Sequence, residues 1–180
     1  MPLPPWPQLG EISDRAQSVL GGEVTLHHPP TSALWQVGFA SQFELVIRED
    51  GQLHRGGRDP HCAPVLLWAH LRCAALNNAL GSDLDLLLKA EPTISVVDVW
   101  DRRRGALCDH ARTREVLSRA RVEAPVVALL GEVRTLAELT TRTVALGAPG
   151  SLVELRREEG GVVVARAHLR VGSARTRELG

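Results

Sequence analysis

The chain has 180 residues, 44% hydrophobic and 23% charged, and its 21 basic and 21 acidic residues give a formal net charge of zero. These values are typical of one globular domain with a buried core. They exclude a bulk electrostatic argument for nucleic-acid binding, so any basic surface has to be local. No apolar run approaches the roughly 20 residues of a membrane helix, and the first residues lack the basic and apolar regions of a signal peptide.

Cysteine and lysine usage limits the chemistry that the chain can perform. Cys62, Cys73 and Cys108 have no disulfide-like spacing, so we expect reduced thiols and a cytoplasmic protein. Lys89 is the only lysine, and this bias towards arginine is typical of a GC-rich genome. Arginine stays protonated and cannot act as an amine nucleophile. Lysine-dependent covalent chemistry would therefore have to use Lys89.

The first third of the chain predicts an arm followed by a hairpin. Residues 1–34 contain prolines at both ends and predict an irregular arm with one helical turn. β-branched and aromatic residues over Trp35–Arg48 predict a strand or strand pair. Glu49-Asp50-Gly51 predicts a hairpin turn and Gln52–Arg55 the return strand, because Asp-Gly tolerates positive φ. A glycine-rich loop is predicted over Gly56–Pro60.

The clearest helix is predicted over Pro64–Leu80, where apolar residues recur at helical spacing, proline lies in the first turn and Gly81 follows the end. Thr93–Trp100 is rich in β-branched residues and predicts a buried strand. We expect four side chains from these segments in the core: Leu67, Trp68, Leu71 and Val97.

The remaining segments complete an α+β fold. They are an apolar segment at Asp83–Lys89, a turn at Asp101–Gly105, a helix at Ala111–Arg121, a strand at Val126–Leu130, a short helix at Leu136–Thr141 and a terminal hairpin of Ser151–Arg156 and Val162–Arg170. We predict antiparallel β-sheets flanked by helices. The predicted organisation is an N-terminal arm, 1–34, and a single domain, 35–180.

The order of these segments resembles a known family. The hairpin EDGQLHRGGR precedes the helix opening APVLLW, then VVDVWDRRRGAL, the helix ARTREVL, PVVALLGEVRTLAEL and LVELRREEGGVVVARAHLR. This order resembles the adenylyltransferase domain of bacterial and phage-type RNA ligases over most of residues 35–170. The resemblance implies a ligase-like nucleotidyltransferase architecture in reduced form, a bacterial source and RNA as a partner.

In that family the lysine of a K-x-D-G motif attacks the α-phosphate of ATP and forms a lysyl-AMP intermediate, with metal ions neutralising the phosphates. Laid on this sequence, the motif places Val37 at the lysine and Phe39-Ala40 at Asp-Gly. Valine has no lone pair and cannot attack phosphate. Lys89 is not followed by Asp-Gly, and we expect its ammonium to reach solvent at a strand end.

The later motifs are equally altered. Glu91 is the candidate for the glutamate of a Gly-Glu pair. The E-G-x-x-x-K motif matches either Pro149 to Glu154 or Glu159-Gly160 with Val164 at the lysine, and the terminal lysine segment reads His168-Leu169-Arg170. We therefore predict no catalytic residues, and we name five degenerate motif positions: Val37, Phe39, Glu91, Glu159 and His168. An apolar pocket formed by Val37, Glu91, Pro149 and His168 is expected instead of one lined by carboxylates.

Two other clusters in the sequence are candidate sites. His54, His61, Cys62, His70 and Cys73 lie within twenty residues but lack the paired spacing of structural zinc sites, so no metal is expected. A denser basic cluster surrounds the 101–105 turn and the following helix, and guanidinium groups suit phosphate. Its members are Arg102, Arg103, Arg104, Arg112, Arg114, Arg119 and Arg121. They are the candidate nucleic-acid contacts, with a solvated face balanced by nearby acids as the alternative.

Three functions remain open at this point. The leading hypothesis is a ligase-like domain without catalysis that serves as an accessory module for a nucleic acid or a protein and needs no cofactor. The second is an active ATP-dependent RNA ligase that uses ATP and magnesium and whose motifs lie in another register. The third is an unrelated small α+β interaction protein. Neither a membrane partner nor a metal is expected.

Overall fold

The computed structural model describes residues 11–41, 44–49, 52–55, 60–81 and 83–172. Their elements in chain order are β1 (Gly22–His27), β2 (Leu34–Ser41), β3 (Glu44–Glu49), β4 (Gln52–Arg55), α1 (Ala63–Leu80), β5 (Leu84–Lys89), β6 (Ser95–Asp101), β7 (Ala106–Leu107), α2 (His110–Arg119), β8 (Ala128–Val133), α3 (Leu136–Leu146), β9 (Leu152–Glu159) and β10 (Val162–Arg170). Short 3₁₀ turns cover Ala16–Val19 and Pro60–Cys62. This is the predicted α+β fold with antiparallel sheets and flanking helices.

The described residues separate into two compact units. The large-sheet unit holds residues 30–125, and its six strands run in the order β4-β3-β2-β5-β6-β7. The small-sheet unit holds residues 11–29 and 126–172, and its four strands run in the order β10-β9-β1-β8. All neighbouring strands in both sheets are antiparallel.

The core of the large-sheet unit lies between one face of its sheet and the helices α1 and α2. Its buried helix residues are Val65, Leu66, Ala69, Leu76 and Leu80 from α1 and Val116, Leu117 and Ala120 from the region of α2. Strand residues such as Val37, Leu86 and Val99 complete it from the sheet. The register explains why, since Val37 pairs with Leu86 and Leu86 with Val99, so the three side chains share one face.

The predicted core is wrong for two residues of α1. Leu67 and Leu71 are 62% and 78% exposed, while Trp68 is half-buried and packs against the core from its edge. Helix α1 is apolar on both sides, so spacing alone could not show which stripe faces the sheet. Val97 is also only half-buried, because β6 has an irregularity at this point: Leu87 pairs with Asp98 and Leu88 with Val96.

The prediction of an irregular arm is wrong at residues 22–27. These residues form β1, an inner strand of the small sheet that pairs with β8 on one side and β9 on the other. Val24 and Leu26 enter a core with Val153, Leu155 and Leu139. The prolines at 29 and 30 follow this strand and do not interrupt it. Residues 1–10 lie outside the described residues.

Several predicted boundaries are confirmed and others move. Strand β4 covers Gln52–Arg55 as predicted and pairs with β3, Glu49 opposite Gln52, although Asp50, Gly51 and the 56–59 loop lie outside the described residues. Helix α3 continues to Leu146, beyond the predicted Thr141, and begins with a capping box in which Thr135 accepts from the backbone N–H of Glu138. No helix in the described ranges has the length and apolar character required to cross a bilayer.

Candidate functional site

Each sheet has an apolar face that enters its core and a second face that carries buried polar groups. In the large sheet, strand alternation places Gln36, Gly38 and Asp85 on the face opposite Val37 and Leu86. Gln36, Arg48 and Asp85 are only 3%, 8% and 5% exposed. Buried charges are stable in a protein only when they are paired and hydrogen-bonded, so each charge on this face needs a partner.

Asp85 is the centre of the polar face of the large sheet. Gln36 Nε2 donates to its Oδ2 at 2.8 Å, and Arg102 Nε lies 3.4 Å from its Oδ1. Burial raises the pKa of Asp85, and the nearby Arg102, the Gln36 hydrogen bond and Arg48 oppose that rise. Burial likewise lowers the pKa of Arg48, with Asp85 opposing. Asp85 is therefore a carboxylate whose charge depends on its arginine neighbours.

Gly38 allows this arrangement. A Cβ atom at position 38 would lie 2.3 Å from Asp85 Oδ1, well inside van der Waals contact. The glycine is thus required by the close approach of a side chain and not by its own backbone conformation. The carboxylate occupies the space above β2 that a larger residue would fill.

A second buried carboxylate, Asp101, organises the turn between β6 and β7. Its Oδ1 accepts from the backbone N–H of Arg104 at 3.0 Å, and its Oδ2 lies 2.6 Å from the guanidinium of Arg112 on α2. Asp101 is 3% exposed. Arg102 also donates to the carbonyl of Phe39 at 3.5 Å. Arginines from the predicted basic cluster therefore anchor the turn and α2 to the sheet.

The structure divides the seven predicted arginines into two groups. Arg102, Arg104 and Arg112 contact the buried carboxylates, and Arg119 pairs with Glu115 one turn earlier on α2. Arg103, Arg114 and Arg121 are exposed and form no ion pair with any residue in the described ranges. Arg114 lines an open groove of about 580 Å³ together with Ala111, Glu115, Ser118, Val122 and Ala124. Three guanidinium groups are therefore available to a ligand.

Glu154 is the centre of the polar face of the small sheet. Arg166 donates to both of its oxygens at 3.0 Å, Arg156 Nε donates at 2.5 Å, and His168 Nε2 lies 3.6 Å from Oε2. Burial raises the pKa of Glu154, but Arg156 and Arg166 outweigh burial and hold the pKa at about 2. Cross-strand register brings the group together, because Glu154 pairs with His168 and Arg156 with Arg166.

The same face continues along β1. The ring Nε2 of His27 and Thr25 Oγ1 are 3.0 Å apart, and Thr25 Oγ1 donates to Glu158 at 2.9 Å. His27 is 9% exposed and Thr25 3%. The polar face of the small sheet is therefore a network of histidines, arginines and carboxylates.

Comparison with known proteins was made at three levels. No protein-family model matches the chain, and no curated protein matches it. Among solved structures, an archaeal ATP-dependent RNA ligase superposes with a TM-score of 0.61 at 12% identity, over 91% of this chain and 48% of that one. Naegleria gruberi RNA ligase with pyrophosphate gives 0.59 at 10% identity, over 84% and 50%. A lysine-to-alanine variant of that ligase with ATP and manganese gives 0.60 at 9% identity, over 84% and 50%.

The chain shares its fold with these RNA ligases. It spans about half the length of the ligases that it matches. This is the fold that the first two hypotheses expect. At these identities the likeness shows the fold alone, and the chemistry has to be judged from the residues of this chain.

Within this fold, β2 is the strand to which the sequence analysis assigned the K-x-D-G motif, and its apolar residues lie in the core. Val37 is fully buried and Phe39 6% exposed, and both pack on the side of α1. Their neighbours Gln36 and Gly38 occupy the polar face instead. The sequence comparison assigned the motif to Val37 and Phe39 and missed Gln36. The signal that could have identified Gln36 is the alternation along β2. It places Gln36 and Gly38 on one face of the sheet and Val37 and Phe39 on the other.

The other predicted motif positions lie in different elements of the two units. Glu91 is exposed after β5, Glu159 is exposed at the end of β9, and Pro149 is exposed before β9. Val37 is enclosed in the core of its unit, so it does not line a pocket with exposed Glu91. His168 contacts Glu154. The networks around Asp85 and Glu154 were not predicted, because the pattern of a single strand does not identify its cross-strand partners.

Lys89 lies at the end of β5, opposite Leu34 of β2 and Ser95 of β6. It is half-buried, and alternation places it on the face of Asp85. Lys89 is four positions after Asp85 along the strand, or about 13 Å at roughly 3.3 Å per residue. No ion pair or hydrogen bond of the Lys89 side chain is found with the described residues.

The histidines and cysteines considered as a metal site lie in different environments. Cys62 is buried in the large-sheet core, His70 is exposed on α1, and the side chain of His61 lies outside the described residues. Across the ranges that the structure describes, no three histidine, cysteine or acidic side chains are placed to hold a metal ion. Burial raises the pKa of the Cys108 thiol to about 11, so it is protonated at neutral pH.

Proposed function

We propose that this chain is an RNA-ligase-like domain that binds RNA without catalysing ligation. The observation that carries the proposal is the composition of β2: its core face has Val37 and Phe39, and its polar face has Gln36 and Gly38. None of these four residues offers an amine. A lysyl-AMP intermediate needs an amine held within attacking distance of the α-phosphate.

The buried carboxylates do not fit the ATP–metal complex that the family resemblance implies. A divalent cation in such a site is held by oxygens, mostly of carboxylates. Asp85, Asp101 and Glu154 are each already in contact with at least one guanidinium group. A cation would have to displace those arginines, and at Glu154 it would leave the buried Arg156 without its partner, which is unfavourable. These carboxylates therefore support a structural role.

Lys89 is the residue on which the enzyme alternative depends. It shares the polar face of the large sheet with Asp85, and this observation favours an active ATP-dependent ligase whose lysine has moved to a neighbouring strand. Against it stands the distance of about 13 Å along β5. In the proposal, the Lys89 ammonium contacts solvent and carries no nucleotide.

The first test is adenylation. The protein is incubated with ATP and either magnesium or manganese, and its intact mass is compared with that of an active RNA ligase treated in parallel. The expected result is an unmodified mass for this chain and the addition of one AMP to the control. An adduct that is lost in Lys89→Ala would establish the enzyme alternative. An acid-labile adduct retained in Lys89→Ala would indicate a histidine, with His28 and His168 as the residues to replace next.

The second test is RNA binding. Arg103 and Arg114 are exposed and lack ion pairs among the described residues, so their charge reversal should not disturb the buried networks. Arg103→Glu with Arg114→Glu should weaken binding to a short RNA by about tenfold or more. Arg15→Glu with Arg134→Glu makes the same change in net charge on other exposed arginines, of which Arg134 pairs with exposed Glu132, and serves as the net-charge control. Equal loss in both double variants would show a charge effect without a site, and no RNA binding at low salt would end the proposal.

We propose the cytoplasm as the setting of this function. Cys62, Cys73 and Cys108 are all free thiols, and Cys62 and Cys108 are buried. Unpaired thiols of this kind are typical of reducing compartments. A bacterial source stays a prediction.

A further inference from the structure

Strand β8 is an edge of the small sheet, and its outer side pairs with no strand among the described residues. In the order β10-β9-β1-β8, β8 has a neighbour, β1, on one side only. An edge strand presents main-chain N–H and C=O groups that can pair with a strand of another molecule. The groups that cover this edge therefore decide whether the small sheet can grow by strand addition.

Two outer carbonyls of β8 are covered by one side chain, Arg142 of α3. Its Nη1 atom donates to the carbonyl of Leu130 at 2.7 Å and to the carbonyl of Glu132 at 2.8 Å. Leu139 and Thr143 of the same helix are fully buried, which holds α3 beside the strand. Hydrogen bonds from a charged donor are stronger than those between neutral groups. These two carbonyls are therefore firmly occupied within the fold.

A β-bulge brings the two carbonyls to one nitrogen. Gly131 and Leu129 pair with consecutive residues of β1, so Leu130 between them has no partner there. Gly131 has a φ of +74°, a conformation that favours glycine. Carbonyls two residues apart in a regular antiparallel strand are separated by about 6.8 Å. Here their oxygens are at most about 5.5 Å apart, which is the sum of their 2.7 Å and 2.8 Å distances to the same nitrogen.

The opposite edge of the small sheet, β10, is covered in a similar way. It has a bulge at Val164, where the register with β9 shifts. The backbone N–H of Ser13 donates to the carbonyl of Arg166 at 3.0 Å, and the N–H of His168 donates to the carbonyl of Ser13 at 3.3 Å. Bulges and covering groups are the features with which proteins prevent pairing between sheet edges. Both edges of this sheet have both features.

We propose that Arg142 closes the β8 edge against strand addition, and that a second copy of β8 pairs with this edge when the guanidinium is removed. Two antiparallel β8 edges are related by a two-fold axis, so each contact made by one chain is repeated by the other. Leu129 is 63% exposed and would gain from being covered. Glu132, the charged residue of β8, pairs with Arg134 at 2.8 Å, so repulsion between like charges does not hold two such edges apart.

The alternative is that Arg142 only fastens α3 to the sheet. Loss of such a fastening predicts a less stable protein that remains a monomer, whereas the opening of an edge predicts association. The oligomeric state therefore separates the two explanations, and stability alone does not. The inference is independent of the RNA proposal, because Arg142 belongs to the small-sheet unit and is not one of the seven arginines of the predicted cluster.

The test measures association of the full chain by sedimentation velocity over about a hundredfold range of protein concentration. Arg142→Met removes the guanidinium and keeps an unbranched side chain of high helix propensity. This variant should dimerise at least about tenfold more tightly than the unsubstituted chain. Its β8 amides should also exchange more slowly with solvent at high protein concentration than at low concentration. Arg134→Met is the matched control, because Arg134 donates to the Glu132 side chain and not to a main-chain carbonyl.

Leu129→Lys in the Arg142→Met background tests where the two chains meet. A lysine on an edge strand opposes strand addition, and position 129 is exposed enough to accept it. The double variant should return to the association of the unsubstituted chain. Circular dichroism checks that each variant is folded. If Arg142→Met does not fold, Arg142→Lys replaces it: the lysine stem is one bond shorter, so its ammonium cannot reach both carbonyls, and association should tighten severalfold.

The closed-edge proposal is wrong if the folded Arg142→Met protein, or Arg142→Lys in its place, stays monomeric over the whole concentration range. It is equally wrong if Arg134→Met associates as tightly, or if Leu129→Lys leaves the association unchanged. Dimers of the unsubstituted chain with protected β8 amides would also overturn it, because the edge would then be open with Arg142 in place.

Discussion

At the scale of single residues, the two sheets illustrate opposite consequences of burying a carboxylate. Burial raises the pKa of Asp85, and the contacts from Arg102 and Gln36 only oppose that rise. Glu154 is held by two arginines, and its pKa falls to about 2 despite burial. The number and geometry of the guanidinium contacts decide which tendency dominates. Each case leads to a prediction.

Gly38→Ala should destabilise the protein by about 2 kcal/mol, because the new Cβ would overlap Asp85 Oδ1. Urea unfolding followed by tryptophan fluorescence measures the loss. The same substitution in an Asp85→Ala background is the control, since removing the carboxylate should relieve most of the overlap. If Gly38→Ala has an equal effect in both backgrounds, the contact with Asp85 is not its cause.

Glu154→Gln should lower the free energy of unfolding by about 3 kcal/mol at pH 7. This value follows from the pKa of Glu154, which the fold lowers from 4.5 to about 2, at about 1.4 kcal/mol per pKa unit. A carboxyl whose folded pKa is depressed stabilises the fold above its unfolded pKa, and this contribution is lost as pH falls through the folded pKa. The difference between the two proteins should therefore shrink from about pH 5 to pH 2. Urea unfolding followed by circular dichroism at several pH values measures it.

Asp85 supplies the internal comparison for that experiment. Because its pKa is raised in the fold, its contribution has the opposite sign, and protonation as pH falls stabilises the folded state. Asp85→Asn should therefore remove the gain in stability that protonation of Asp85 gives as pH falls. Glu154→Gln should instead remove the loss of stability that protonation of Glu154 causes. A stability difference for Glu154→Gln that stays constant down to pH 2 would contradict the ion-pair explanation.

At the scale of elements, α1 and β1 show which features follow from the local sequence and which do not. The limits of α1 follow from its apolar spacing, from proline near the first turn and from Gly81 at its end, whose N–H bonds to the carbonyl of Asn77. Which side of α1 is buried does not follow, because both sides are apolar. Strand β1 was unrecognised because its partners, β8 and β9, lie more than 100 residues later in the chain.

Leucine-to-alanine substitutions on the two sides of α1 should separate the buried stripe from the exposed one. Leu76→Ala, at a fully buried position, should cost about 3 kcal/mol because it leaves a cavity between α1 and the sheet. Leu71→Ala, at a position 78% exposed, should change stability by no more than about 0.5 kcal/mol. The residue type and helix are the same, so the difference in urea midpoint reports burial alone. Similar losses at the two positions would contradict the orientation of α1.

At the scale of the whole molecule, the neutral charge decides how RNA would be held. With 21 basic and 21 acidic residues, no long-range field favours a polyanion. Arginines that pair with Asp85, Asp101 and Glu154 are occupied within the fold. The available positive charge in the predicted cluster is therefore limited to Arg103, Arg114 and Arg121.

RNA affinity should consequently depend only weakly on salt. Three phosphate contacts predict a slope of log affinity against log salt of about −2 for a single strand and about −3 for a duplex. Titration of a labelled RNA at four potassium chloride concentrations measures this slope. Arg103→Glu with Arg114→Glu should flatten it towards zero. A slope steeper than about −5 would show that many more cations contact the RNA than these three.

The sequence by itself determined the elements whose signals are local. The limits of α1, the β3–β4 and β9–β10 hairpins and the 101–105 turn follow from side-chain periodicity and turn residues within a few positions of each other. The order of these segments also indicated the RNA-ligase fold, while the loss of the lysine at its motif stays a prediction. Only the tertiary structure decided the buried side of α1, the place of β1 and the division of the arginines into anchoring and free groups. Thr25 and Glu158 show the physical reason, since these hydrogen-bonded residues are 133 positions apart and strand pairing alone makes them neighbours.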